Sequence, residues 1–165
     1  MENIICEKLS FSYPTSSASV LKDVSFSVSG GELCLVLGCS GAGKSTLLKL
    51  MKKEIAPNGT LTGCIKINGS VGYVAQNVEE NIVTDKVRSE LSFGLTNMGM
   101  NRSSIELLVA ETASYFNLSD KLDNDISTLS GGEKQLLNLA SVMIMKPDVL
   151  VLDEPTCQLD PVSAQ

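Results

Sequence analysis

The chain has 165 residues, 43% of them apolar, which is enough for one compact domain with a hydrophobic core. A net charge of −6 argues against a nucleic-acid partner, and the short, interrupted apolar stretches argue against direct membrane insertion. Five cysteines without a C-x-x-C pair, in a chain that has no histidine, are typical of reduced cytoplasmic thiols and do not indicate a zinc site.

The N-terminal part of the chain predicts short strands joined by turns. Residues 3–13 and 20–37 contain bursts of β-branched residues and leucine. The last burst, Leu33 to Leu37, is a continuous apolar run that ends at a glycine-rich loop, and Lys44 to Lys53 then shows helical spacing. The predicted order is therefore strand, loop, helix.

The next segment predicts a hairpin. Leu61 to Ile67 and Val71 to Ala75 are apolar runs that flank Asn68-Gly69. Asparagine and glycine both tolerate positive φ, so this pair suits a tight turn between two antiparallel strands.

The rest of the chain alternates helices with a final strand. Residues 86–117 favour helices, with Asn101-Arg102-Ser103 as the break and N-cap between them. Gly131-Gly132 opens another helix, which Pro147 ends. The residues predicted to share one face of that helix are Leu136, Leu139, Ala140 and Met143.

The last predicted element is a buried strand, Val149 to Leu152. Together with Leu33 to Leu37, it suggests parallel strands in an α/β sheet.

Residues 38–46 satisfy the phosphate-loop pattern G-x-x-x-x-G-K-[ST] between a predicted strand and a predicted helix. Backbone amides of such a loop point inward at phosphates; Lys44 would reach the β- and γ-phosphates of ATP, and Ser45 would offer its hydroxyl to Mg²⁺. The alternative is a glycine-rich turn with a chance Lys-Ser. The candidate nucleotide-binding residues are Gly38, Cys39, Ser40, Gly41, Ala42, Gly43, Lys44, Ser45 and Thr46.

Two carboxylates, Asp153 and Glu154, follow the last predicted strand. At a strand end beside a phosphate loop, Asp153 can hold Mg²⁺ and Glu154 can accept a proton from the attacking water. By themselves, such residues are equally consistent with a solvated strand end; the phosphate loop favours the catalytic interpretation.

A second helix N-terminus that could bind an anion is predicted in Leu-Ser-Gly-Gly-Glu-Lys-Gln, residues 129–135. This pattern resembles the signature sequence of the ATP-binding-cassette (ABC) ATPases, whose motifs occur in this chain in the same order. The resemblance implies an α/β P-loop NTPase fold of ABC type, with an N-terminal antiparallel β part and a small helical subdomain at about 78–130, within one domain of residues 1–165.

The resemblance also implies roles for individual residues. Tyr13 matches the aromatic that stacks on adenine, with an ordinary strand aromatic as the alternative. Gln76 matches the glutamine that contacts Mg²⁺ and the attacking water, and Asp160 matches an aspartate at the interface between two subunits. The segment that contacts the γ-phosphate held by an opposing subunit corresponds to Ser130, Gly131 and Gly132. Catalysis would then need a head-to-tail dimer with a second ABC ATPase subunit, the same or different.

Residues 76–95 and 154–161 resemble the ATPases of energy-coupling-factor transporters, which import vitamins or cobalt and nickel ions. This resemblance implies a transmembrane coupling subunit as partner and a cytoplasmic, peripheral position on the inner face of the membrane. For residues 77–98, a generic amphipathic helix of the helical subdomain is the alternative.

The chain departs from the family pattern in having no histidine, whereas the family carries a switch histidine after the segment that contains Asp160. We therefore expect a C-terminally truncated ATPase that, as this 165-residue chain alone, binds nucleotide weakly and is severely impaired in hydrolysis. Two alternative functions stay open: a nucleotide-binding module that does not hydrolyse ATP, and a soluble ABC ATPase not tied to transport.

Overall fold

The structure is a computed structural model that describes residues 2–16, 18–78 and 81–155. The chain divides into two compact units, Met1–Val71 and Gly72–Gln165. The strands are β1 (Glu2–Ser12), β2 (Leu21–Ser29), β3 (Thr60–Ile67), β4 (Val71–Val74) and β5 (Val149–Leu152). The α-helices are α1 (Lys44–Leu50), α2 (Val87–Asn97), α3 (Arg102–Tyr115) and α4 (Gly131–Met143), and short 3₁₀ turns lie at Lys53–Ile55, Ser119–Lys121 and Ile126–Thr128.

The first unit is built on an antiparallel sheet of order β2-β1-β3. In β1, Ile4 and Cys6 are buried, and the alternation then shifts by one residue so that Leu9 and Phe11 are buried. Both pairings of β1 change register in this interval, where Lys8 has φ 48°. An extra residue in one strand reverses the side-chain alternation beyond it, so this bulge keeps all four side chains in the core. The predicted N-terminal antiparallel part is confirmed.

The strand predicted at Leu33 to Leu37 is absent from the described structure, and that prediction was wrong. The run forms no strand, and Leu33, Leu35 and Leu37 are 95%, 75% and 81% exposed. An apolar run supplies the composition of a buried strand, but a strand also needs a neighbouring backbone with which to exchange hydrogen bonds. Among the described residues, none of the strand ladders includes this run.

The hairpin predicted around Asn68-Gly69 was also wrong. A turn does lie there, with Gly69 at φ 104°, but β3 and β4 belong to different sheets. β3 pairs with β1, and the Asn68 amide continues that ladder by donating to the carbonyl of Asn3 at 2.9 Å. β4 instead pairs with β5. The turn residues fixed a change of chain direction but could not fix which strand would become the partner.

The second unit has a helical core in which α2 packs against both α3 and α4. The predicted break between the first two helices is confirmed, because Asn101 caps α3 by accepting a 2.9 Å hydrogen bond from the Ser104 amide. The buried apolar residues of this core are Val87, Leu91, Leu95, Val109, Ala113, Leu118, Ile126, Leu129, Leu137, Ala140 and Ile144.

The apolar face predicted for α4 was only partly right. Ala140 is buried, but Leu137 and Ile144 complete the core stripe, while Met143 is 39% exposed. Leu136 and Leu139 are half-buried. Apolar residues occupy several sides of this helix, so its periodicity alone could not select the side that meets α2.

The last predicted strand is confirmed as β5, but it is buried on one side only. Val149 and Val151 are buried, whereas Leu150 and Leu152 are 37% and 36% exposed. The amide of Asp153, just after β5, donates to the carbonyl of Val74, the last residue of β4, at 3.0 Å. The carboxyl ends of these two strands therefore lie side by side, as in a parallel pair.

Candidate nucleotide-binding site

The predicted phosphate loop folds as a tight glycine-rich turn that ends where α1 begins. Gly43 is the N-cap of α1 with φ 90°, and Gly41 has φ 79°. A Cβ on Gly43 would lie 2.8 Å from Cγ1 of Val20 and 3.2 Å from its carbonyl oxygen. Only glycine combines this backbone conformation with so close an approach.

Lys44 lies over this loop. Its ammonium donates to the carbonyls of Gly38 and Cys39, at 3.0 and 3.1 Å. The lysine charge is therefore held next to the loop backbone, where phosphate oxygens would compete for the same donors.

Tyr13 lies beside the phosphate loop. Its hydroxyl and that of Thr46, which is 8% exposed, are 3.0 Å apart. Its ring also meets Phe11 edge-on, with centroids 5.0 Å apart and an interplanar angle of 86°. The contact with Thr46 was missed at the sequence level, because residues 33 positions apart give no local signal of their proximity.

The acidic strand end brings together three of the predicted residues. The Tyr73 hydroxyl donates to Oδ2 of Asp153 at 3.0 Å, and Asp153 is 3% exposed. The Gln76 amide donates to Oε2 of Glu154 at 2.7 Å. Glu154 has φ 49°, a conformation that non-glycine residues rarely adopt and that is often found at functional sites.

The second glycine pair forms the first turn of α4, as predicted. Ser130 is its N-cap, with a reciprocal capping box: the Ser130 hydroxyl accepts from the Glu133 amide at 3.3 Å, and the Ser130 amide donates to Oε2 of Glu133 at 2.8 Å. Gly131 is exposed and Gly132 is half-buried, and neither glycine has a Cβ that would cover its amide.

Lys121 adds a charge pair to this cap, since its ammonium donates to Oε1 of Glu133. This hydrogen bond, followed by that from the Ser130 amide, lowers the pKa of Glu133 to about 2. The Ser-x-x-Glu spacing could have revealed the capping box, but nothing in the local sequence pointed to Lys121 as the partner.

The predicted residues therefore form two groups. The phosphate loop and Tyr13 belong to the first unit, and Gln76, Ser130, Asp153 and Glu154 belong to the second. Asp160 lies outside the described residues. The hydroxyl and carboxylate oxygens of Ser45 and Asp153 are the kind of donor that Mg²⁺ prefers.

Comparison with known proteins identifies the family. The sequence model of the ABC transporter family matches residues 21–157, so the chain belongs to the ABC transporter ATP-binding family. This family hydrolyses ATP in transport.

Individual relatives support this assignment. The chain is 42% identical to an ABC transporter ATP-binding protein of Bacillus cereus, over 95% of this chain and 31% of that protein. It is 33% identical to the energy-coupling factor transporter ATP-binding protein EcfA1 of Lactobacillus delbrueckii, over 97% of this chain and 62% of that protein. The chain thus spans about a third of the first relative's length and under two thirds of the second's.

A solved structure agrees with this fold. CbiO1 from Clostridium perfringens, part of the ABC transporter complex CbiONQ, matches 98% of this chain and 69% of its own, with a TM-score of 0.84 and 28% identity. The predicted ABC-type fold and the resemblance to ABC ATPases are confirmed. In the part of the chain that the structure describes, each helix is too short or too polar to cross a membrane.

Proposed function

We propose that the chain binds and hydrolyses ATP as the motor domain of a membrane transporter. The observation that carries the proposal is the 2.7 Å hydrogen bond from Gln76 to Glu154 at the end of β5, next to the buried carboxylate of Asp153. A proton acceptor, a polar side chain able to orient water and a metal-binding carboxylate are the groups that phosphoryl transfer to water requires.

Each group has one role in this scheme. Lys44 and the amides of residues 38–46 would hold the phosphates, and Ser45 and Asp153 would hold Mg²⁺, which would supply positive charge to the phosphate oxygens. Gln76 orients the attacking water, and Glu154 accepts its proton.

We assign Ser130 and the amides of Gly131 and Gly132 to a nucleotide held by a second ABC ATPase subunit. A nucleotide has only one triphosphate tail, and the phosphate loop of the same chain already provides a site for it. Gly131 is exposed at the capped start of α4, which suits contact with a neighbour's γ-phosphate in a head-to-tail dimer.

We further propose that the transporter is an importer of the energy-coupling-factor type. The support is the similarity to EcfA1 and to CbiO1, two proteins whose names place them in an energy-coupling factor transporter and in the CbiONQ complex. The partners would be a transmembrane coupling subunit and the second ATPase subunit, and the chain would lie on the cytoplasmic face of the membrane.

Affinity purification from detergent-solubilised membranes tests this proposal. We expect the tagged protein to retain a transmembrane subunit and to hydrolyse Mg-ATP in that complex. As a control, the same preparation of Lys44→Ala should retain the membrane subunit but lose hydrolysis, because the loop lysine acts on phosphates. Recovery without any membrane subunit, with nucleic acid or ribosomes instead, would contradict the transport proposal.

A further inference from the structure

Two buried amide side chains, Gln135 and Asn138, lie one helical turn apart on α4. Gln135 is 2% exposed and Asn138 is fully buried. Most buried positions of this helix carry apolar side chains, and burying an amide costs free energy unless hydrogen bonds replace its contacts with water. Their contacts therefore need an explanation beyond core packing.

Gln135 holds the backbone that follows the catalytic carboxylate. Its Nε2 donates to the carbonyl of Pro155 at 2.7 Å. Pro155 comes directly after Glu154, whose φ of 49° must be maintained by its surroundings. The bond from Gln135 thus holds the carbonyl of the residue that directly follows Glu154.

Asn138 holds the segment on the other side of Gln76. Its Oδ1 accepts from Nδ2 of Asn81 at 2.9 Å, and the same Nδ2 is 3.4 Å from the carbonyl of Tyr73 in β4. Gln76 lies between Tyr73 and Asn81 in sequence. The Asn81 amide therefore links the chain after Gln76 to the strand before it, and Asn138 accepts a hydrogen bond from that amide.

We propose that Gln135 and Asn138 are positioning residues that make the geometry of the Gln76–Glu154 pair depend on helix α4. α4 begins at the Ser130-Gly131-Gly132 segment, so a displacement of this helix when that segment engages a nucleotide would move both supports of the pair. The inference rests on the proposed function, and it adds a route within one subunit from the signature segment to the hydrolytic residues.

Each of the two side chains also keeps one unpaired buried atom, Oε1 in Gln135 and Nδ2 in Asn138. One is an acceptor and the other a donor, on the same face of the helix. Unpaired buried polar atoms are costly in a packed core. Stability alone therefore does not account for the two amides, whereas their hydrogen bonds to Pro155 and Asn81 do.

The test measures ATP hydrolysis by the protein in its native complex, with rates normalised to the sites that bind nucleotide. For Gln135→Met, we expect kcat to fall about 10- to 100-fold with KM within about 2-fold of wild type, because a positioning error affects the chemical step more than nucleotide binding. Leu137→Met is the matched control on the same helix, with a volume-conserving change in the core and full normalised kcat expected.

A second arm tests whether Gln135 acts through the pair. In a Gln76→Ala background, Gln135→Met should lower kcat by much less than it does alone, since coupled residues are not additive. If Gln135→Met does not fold, Asn81→Ala replaces it. Asn81 is half-buried, its substitution removes the hydrogen bond to Asn138, and we expect the same decrease in kcat.

If the wild-type complex hydrolyses ATP and these variants have the same normalised kcat, the inference is overturned and the proposed function stands. Equal, additive losses in both backgrounds would also overturn it. Lack of hydrolysis in the wild-type complex would overturn the proposed function, and the inference with it.

Discussion

The side-chain amide of Gln76 donates a 2.7 Å hydrogen bond to the carboxylate of Glu154, 78 positions further along the chain. Gln76 follows β4 and Glu154 follows β5, and these two strands end side by side. The sheet therefore places the Gln76 amide next to the Glu154 carboxylate, the two groups that we propose orient the attacking water and accept its proton.

If Glu154 is the proton acceptor, Glu154→Gln should lower kcat for ATP hydrolysis by about 10²- to 10⁴-fold. The affinity for Mg-ATP should stay near wild type, because Glu154 is not assigned to hold phosphate or metal. Steady-state hydrolysis and equilibrium nucleotide binding measure the two effects. Glu111→Gln, an exposed carboxylate on α3, serves as control and should retain full activity. Hydrolysis at the wild-type rate by Glu154→Gln would exclude Glu154 as the base.

For Tyr13, the ring and the hydroxyl can be separated experimentally. Tyr13→Ala should weaken ATP binding by about 1 to 3 kcal/mol through the loss of stacking on adenine. Tyr13→Phe keeps the ring and loses only the contact with Thr46, so its affinity should stay close to wild type. Calorimetric titration with ATP measures both, with the exposed Tyr115→Ala as control. Unchanged affinity in Tyr13→Ala would make Tyr13 an ordinary strand aromatic.

The Lys121–Glu133 pair predicts a pH-dependent contribution to stability. The pKa of Glu133 is lowered from 4.5 to about 2, so folding favours its charged form. The contribution should be present above about pH 4.5 and be lost as the pH falls towards 2. Lys121→Met should therefore unfold at a lower temperature than wild type at pH 7, and this difference should shrink through that interval.

The control for this prediction is Arg102→Met, which removes an ion pair whose side chains are 92% and 62% exposed. An exposed pair contributes about 0 to 1 kcal/mol, so this variant should unfold close to wild type at each pH. A constant destabilisation of Lys121→Met between pH 7 and pH 2 would show that lost packing, and not charge, causes the effect.

Cys39 provides a chemical probe of the phosphate loop. It is an exposed free thiol within the predicted nucleotide site, so bound Mg-ATP should slow its alkylation markedly. Cys34 is also exposed and lies outside the loop, so it should react equally with and without nucleotide. Mass spectrometry of labelled peptides distinguishes the two residues. Equal labelling of Cys39 in both conditions would contradict its placement at the nucleotide.

The sequence sufficed to predict the parts of the fold that local chemistry determines. The capped start of α3 at Asn101, the glycine turn before α1 and the strand after Pro147 each depend on residues a few positions apart. Phosphate-loop and acidic strand-end motifs likewise have fixed local spacing, so the amino-acid sequence alone is enough to name their residues.

Features that depend on distant partners could not be predicted in the same way. The run at Leu33 to Leu37 has the composition of a strand but pairs with no strand in the described structure. Strand β3 pairs with β1 and not with β4, the next strand in sequence. The contacts of Gln135 with Pro155 and of Tyr13 with Thr46 also join residues far apart in sequence. A one-dimensional pattern records how apolar a segment is, but not which backbone or side chain it meets.

The central claim is that residues 38–46 bind the phosphates of Mg-ATP, and equilibrium binding of Mg-ATP tests it most directly. Lys44 donates to two carbonyls of this loop in the structure. We predict saturable binding by the wild-type protein and a loss of about 1.5 to 3 kcal/mol in Lys44→Ala, the range for a hydrogen bond to a charged group. Lys53→Ala, an exposed lysine beyond α1, should bind like wild type. Absence of Mg-ATP binding by the folded wild-type protein, or equal affinity in Lys44→Ala, would contradict the account.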